Sequence, residues 1–278
     1  MRRPRRAQGD APRLVRRPEA RLSRLPLGQA PVALVVRGAA RAAAALAVAA
    51  CSAAASPGAG PPAAPEIVEA GRYRAFWLWA GVRPQPALAG AEAVYLLQGE
   101  VEDGPVVRLA SRRAAIPHVR GSDVWLVVRA ATLAWPPAVY AQVLRALADW
   151  RAAGDRVVGV QIDFDARTRG LAGYAAFLKD LRGRLPADCR LGITGLLDWS
   201  ANGDPAGLAA LAGTVDEVVL QIYQGRHVIP GYAAYLGTLG RMTVPFRIGL
   251  LQGAEWRPPE GLERRPLFRG YVVFLRNG

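Results

Sequence analysis

Cysteine, histidine and acidic residues are scarce in this 278-residue chain. Its two cysteines, Cys51 and Cys189, cannot build a disulfide framework. Its two histidines, His118 and His227, lie far apart with no cysteine cluster nearby, which argues against a zinc site. No metal and no cofactor are therefore expected. No G-x-G-x-x-G follows a strand-like run and no P-loop occurs, which disfavours a nucleotide-binding fold. No apolar run reaches the roughly 20 residues that cross a bilayer comfortably. Acids are outnumbered, 22 Asp and Glu against 36 Lys and Arg, but the excess is uneven. Residues 1–50 hold eleven arginines against only Asp10 and Glu19, so +9 of the net +14 sits there and +5 remains for the rest. That remainder has no basic run with interleaved aromatics, so nucleic acid is not an expected partner. The bulk composition, 51% hydrophobic and 21% charged, is that of a globular chain.

Arg37 to Cys51 reads R-G-A-A-R-A-A-A-A-L-A-V-A-A-C. Two arginines, a short apolar run and small residues before a cysteine fit the core of a signal peptide. Val48-Ala49-Ala50-Cys51 resembles the lipobox of bacterial lipoproteins, which implies cleavage before Cys51 and lipid on its thiol and amine. The alternative is an alanine-rich helix with an incidental cysteine. Residues 1–36 are long and basic for the segment before such a core. Either translation starts near Leu34, Val35 or Val36, or the extension is real. Ser52 to Pro65 is rich in Ala, Pro, Gly and Ser and reads as a tether. The expected organisation is a basic extension and lipoprotein signal peptide over 1–50, a tether over 51–70 and one domain over 71–278. The expected location is the cell envelope, on its periplasmic or extracellular face, with the membrane reached through Cys51.

From residue 74 onward, apolar strand-like runs recur with helical stretches between them. The runs are Ala75–Ala80, Ala93–Leu97, Val124–Arg129, Val157–Phe164, Leu191–Leu197, Val218–Tyr223, Phe246–Leu251 and Tyr271–Leu275. Helices are expected from Pro136/Pro137 to Trp150, over Leu171–Leu185, after the Asp204-Pro205 cap, and over Pro230–Leu239 and Pro258–Phe268. A less regular segment, Gly99–Gly121, joins the second and third runs. Eight strands alternating with helices in about 200 residues point to an α/β fold of the (β/α)8 barrel type. A doubly wound open sheet is the alternative.

The most informative stretch is Val157 to Ala166, V-V-G-V-Q-I-D-F-D-A. It opens as a buried strand and ends in Asp163 and Asp165, which share one strand face with Gln161. Three polar groups on one face are costly unless that strand end meets water or partners. In a parallel α/β barrel, ligands sit at the carboxyl ends of the strands. Read off in order, those ends carry Trp77 and Trp79, Gln98 and Glu100, Arg129, Asp163 and Asp165, Asp198 and Trp199, Tyr223, Gln224 and Arg226, Gln252 and Glu255, and Arg276 and Asn277. Carboxylates among aromatic faces suit a carbohydrate, whose rings offer apolar C–H faces and hydroxyls. Individually, each residue has a plainer reading, Trp77 and Trp79 as core and Glu100 as a loop charge. Cleaving a glycosidic bond needs an acid for the leaving oxygen and a second group at the anomeric carbon. A like charge beside a carboxyl holds it protonated nearer neutral pH. Asp165 is accordingly the candidate acid and Asp163 its tuning partner.

The stretch G-V-Q-I-D-F-D resembles the fourth-strand motif D-G-x-D-x-D-x-E of chitinase-type (family eighteen) glycosidases. Gly159 matches the glycine and Asp163 the last Asp, Asp165 stands where that family has its acid Glu, Gln161 replaces the middle Asp and Val158 the first. Gln221-Ile222-Tyr223-Gln224 resembles that family's M-x-Y-D, with Tyr223 matched. More closely, the chain from about Arg72 onward resembles the bacterial domain-of-unknown-function family 3142, a group of glycosidase-like barrels. The resemblance implies catalytic roles for Asp165, Asp163 and Tyr223. Trp77, Trp79, Glu100, Arg129, Gln161, Asp198, Trp199, Gln224, Gln252 and Glu255 are expected to contact substrate. The departures matter. An Asp acid ends about 1–1.5 Å short of a Glu, which bears on rate. Loss of the middle Asp removes the usual partner for acetamido-assisted chemistry, so chitin is disfavoured. A different second carboxylate (Asp198, Glu255 or Glu100), or a barrel that binds envelope glycan without cleaving it, stays open.

Overall fold

All eight strand-like runs form strands, and they pair in sequence order. The computed structural model describes residues 64–166 and 170–277. Cys51, the expected signal segment and most of the expected tether lie outside the described residues. The strands are β1 (Ala75–Leu78), β2 (Ala93–Glu102), β3 (Asp123–Ala130), β4 (Val157–Asp163), β5 (Arg190–Leu196), β6 (Glu217–Gln221), β7 (Phe246–Leu251) and β8 (Phe268–Phe274). Each runs parallel to the next, and β8 returns to β1 with Val273 opposite Phe76 and Phe274 opposite Trp77, which closes the ring. The fold is a (β/α)8 barrel, and a doubly wound open sheet is ruled out by that closure.

Regular helices cover the second half of the ring. They are α1 (Pro137–Ala152), α2 (Leu171–Arg184), α3 (Trp199–Asn202), α4 (Pro205–Leu211) and α5 (Tyr232–Gly237). The Asp204 carboxylate caps α4 by accepting from the backbone N–H groups of Ala206 and Gly207, as its Asp-Pro signature predicts. Two expected helices are shortened. Gly231, at φ 71°, delays α5 until Tyr232. Over Pro258–Phe268 only one 3-10 turn forms, Leu262–Arg264, because Pro258, Pro259 and Pro266 supply no N–H groups and Gly261 is left-handed. Strand β2 outruns its expected end and folds back through Arg108–Ser111, which pairs antiparallel with it. Among the described residues, no helix is long and apolar enough to cross a membrane.

Side-chain alternation divides the core in two. Outward positions such as Val94, Leu96, Leu126 and Ile193 pack under the helices and loops. Inward ones, Ala75, Trp77, Tyr95, Trp125, Val219 and Val272 among them, fill the barrel. The interior is tight. A Cβ on Gly159 would lie 2.5 Å from the Trp125 ring, and one on Gly249 would lie 2.8 Å from the Trp77 ring. Glycine at these inward positions makes room for the two indoles, so the motif glycine of β4 has a packing reason of its own.

Candidate active site

Strand β4 ends on Asp163, and the chain then loops out through Asp165. Asp163 points inward at the carboxyl-end mouth, where Thr194 Oγ1 of β5 donates to its Oδ1 at 2.8 Å. Burial pushes the Asp163 carboxyl above its ordinary range; the Thr194 bond and the Arg129 charge pull it down, and Asp165 and Glu100 push it up. Asp165 is exposed beside it. Tyr223, just after β6, lines the same cavity with its ring buried. Burial first, and the Asp163 charge second, hold its phenol well above the usual tyrosine range. In the layer under the helices, Tyr174 of α2 is buried, its hydroxyl without a hydrogen-bond partner among the described residues, and the same two aspartates add to the upward push of burial on it.

These groups open into a cavity of about 720 Å³. Trp79 and Phe274, whose rings meet at 5.5 Å, form an aromatic wall with Tyr223 and Tyr235. Arg129 lies over the Trp79 ring at 5.5 Å. Asp198 leads into α3, with Oδ1 buried and without a hydrogen-bond partner among the described residues, and its carboxyl is raised by burial. Gln221 and Gln224 add amides from β6 and the residues after it. An apolar face, several hydrogen-bonding groups and a carboxyl biased toward its protonated form are the parts a sugar-binding cleft needs. Among the described residues, no group of three or more His, Cys, Asp or Glu is placed to hold a metal.

Seven of the residues singled out from sequence meet here: Asp163, Asp165, Tyr223, Trp79, Arg129, Asp198 and Gln224. The other six do not line the cavity. Trp77 and Gln161 lie beneath it inside the barrel, where the indole N–H donates to Gln161 Oε1 at 2.7 Å. Trp199 is fully buried core, its N–H donating to the Ala166 carbonyl at 2.9 Å, because the turn into α3 aims it at α2. Glu100 pairs with Arg112 at 3.1 Å and reaches the site only through its charge. Gln252 is bonded to Gln85 and to the Arg276 backbone. Glu255 is exposed on a two-residue strand, Glu255–Trp256, that pairs with Glu66–Ile67. Of the remaining residues, Cys189 and Met242 are buried packing and both histidines are exposed.

Thr194, Gln221, Tyr235 and Phe274 were not singled out. Thr194 and Phe274 carry a usable signal, since each shares its strand's inward parity. Gln221 shares the parity of Tyr223. Tyr235 had none, because α5 is set over the mouth only by tertiary packing.

No curated protein sequence matches the chain. Among solved structures, it is similar to the spore cortex-lytic enzyme SleL of Bacillus cereus, with 14% identity over 67% of this chain and a TM-score of 0.45. The chain spans 55% of the length of that enzyme. It is also similar to the chitinase domain of the spore coat protein CotE of Clostridium difficile, with 14% identity over 70% of each chain and a TM-score of 0.44. A xylanase and alpha-amylase inhibitor protein of Scadoxus multiflorus gives 12% identity over 72% of this chain and 92% of its own, with a TM-score of 0.43. Residues 128–235, the stretch from the end of β3 into α5 that carries Asp163, Asp165, Thr194, Asp198 and Tyr223, match the sequence model of the family described as Domain of unknown function (DUF3142).

Proposed function

We propose that this protein is a glycosidase-like barrel that acts on a polysaccharide or cell-envelope glycan. In this reading the sugar lies on Trp79 and Phe274 with Arg129, Asp198 and Gln224 at its hydroxyls. Asp165 delivers the proton to the leaving oxygen, Asp163 tunes it and Tyr223 holds the substrate. The observation that carries the reading is geometric: Asp163 and Asp165, two carboxyls two residues apart, line one aromatic-walled cavity with Tyr223. The lipobox-like Val48–Cys51 supports the further reading that the chain is exported, with a lipid anchor at Cys51 and the barrel outside the cytoplasm.

The test is release of reducing ends from a panel of plant, fungal and bacterial wall polysaccharides. Asp165→Asn is expected to lower kcat by about 100- to 10,000-fold with little change in KM. Unchanged turnover in that variant overturns the acid assignment. Palmitate labelling that survives Cys51→Ser overturns the anchor. A second reading is that the barrel binds glycan without cleaving it; it is favoured by the exposure of Asp165 and by the neutral Gln161 tied to Trp77. Saturable binding with no turnover, unaffected by Asp165→Asn, selects that reading.

A further inference from the structure

A second cavity, of about 560 Å³, opens at the same end of the barrel, between the segments that leave β7, β8 and β1. Arg83, Gln85, Gln252, Gly253, Arg276 and Asn277 line it, two arginines and no acid. The three amides fasten the arginine backbones. Gln252 Oε1 accepts from the Arg276 N–H and Gln85 Nε2 donates to the Arg276 carbonyl, both at 2.8 Å. The two glutamines also bond each other reciprocally, at 2.7 and 3.1 Å. Asn277 Oδ1 accepts from the Arg83 N–H and its Nδ2 donates to the Gly81 carbonyl, both at 2.9 Å.

The backbones of two cationic residues are thus fastened at the rim of one cavity. Among the described residues, neither has an ion-pair partner. Arg276 Nε–H is moreover buried without an acceptor. A buried donor left unpaired is unfavourable, and a guanidinium fork matches the oxygens of a phosphate or carboxylate. Loops after the seventh and eighth strands are a frequent phosphate site in barrels of this kind.

We propose that this cavity is an oxyanion site in which Arg276 and Arg83 grip a phosphate, sulfate or carboxylate group, free or carried on a sugar chain. The proposal does not depend on the sugar-cleaving reading, since neither arginine lines the aspartate cavity.

The test is a titration of the full, 15N-labelled chain with inorganic phosphate at constant ionic strength, following the Gly253 amide and the arginine Nε–H resonances. A saturable shift in the millimolar range is expected, weakened about tenfold in Arg276→Gln and several-fold in Arg83→Gln, while Arg276→Lys recovers part of the loss. Arg83 is exposed, so its variant reads the site without disturbing the core. Absence of saturation up to about 100 mM phosphate, or an equal dissociation constant in Arg83→Gln and the parent, overturns the proposal. Hexagalacturonate that binds tighter than phosphate and is displaced by it assigns the oxyanion to a sugar chain, whereas phosphate binding alone assigns it to a free anion. No sugar cleavage is read, so failure here and failure of the glycosidase reading are separate results.

Discussion

The two mouths of this barrel treat buried charge in opposite ways. At the amino-terminal mouth, Glu217 accepts from the Tyr95 hydroxyl at 2.5 Å and pairs with Arg247 at 2.6 Å. Tyr95 in turn stacks on Trp125 with ring centroids 5.5 Å apart. Each carboxylate oxygen has a partner. At the carboxyl-terminal mouth, among the described residues, Asp163 accepts a hydrogen bond only from the neutral Thr194 hydroxyl, Asp198 Oδ1 and Gln161 Nε2 have no hydrogen-bond partner, and a cavity of about 720 Å³ stands open. A satisfied polar network rigidifies, whereas polar groups left short of partners are held ready for something outside the chain. The difference separates the face that stabilises the barrel from the face that can do chemistry.

Breaking the satisfied mouth is expected to have the largest effect. Glu217→Ala strands the Arg247 guanidinium and the Tyr95 hydroxyl and is expected to destabilise the fold by about 3 kcal/mol, seen as a lower urea midpoint at unchanged m. A variant within about 0.5 kcal/mol of the parent would erase the contrast. Next comes Gly159→Ala, which drives a methyl to 2.5 Å from the Trp125 ring. It is expected to cost about 1–3 kcal/mol by overpacking, measured the same way.

The open mouth should respond less in stability and more in titration. Thr194→Val removes the one donor to Asp163 among the described residues and is expected to cost about 1 kcal/mol near neutral pH. Because that donor lowers the Asp163 pKa, its loss should also move the carboxyl's NMR titration upward. A downward move would place another donor on Asp163. The smallest effect is expected for Asp163→Asn. Burial raises the folded-state pKa of Asp163 above its unfolded value, so its stabilising contribution is present at acid pH and lost as pH rises through the folded pKa. The neutral amide escapes that loss. The Tm of Asp163→Asn relative to the parent should therefore be higher at pH 7 than at pH 3, and the reverse order would mean that the ionised carboxylate is the stabilised form.

Much of the site was legible because strand parity is a local rule. Asp163 and Tyr223 sit at strand ends whose apolar alternation announces them, and the barrel follows from eight such runs. Trp77 and Trp199 show where that reading stops. Both look like the cavity residue Trp79 in sequence. One faces the barrel interior below the mouth and the other faces α2, and depth along a strand or rotation at a helix start leaves no mark in composition. Gln252 belongs to a different cavity from Asp163 for a similar reason, since its partners Gln85 and Arg276 are far away in the chain.

Sequence alone determined the parallel strands, their order and the end at which carboxylates gather, because alternation and helix capping act over a few neighbouring residues. Only the tertiary structure decided which of those end residues share a cavity, which lie under it as packing and which arginines line a second cavity together. Those outcomes depend on ring closure and on the room that glycines opposite Trp77 and Trp125 leave inside the barrel, and both bring together residues far apart in the chain.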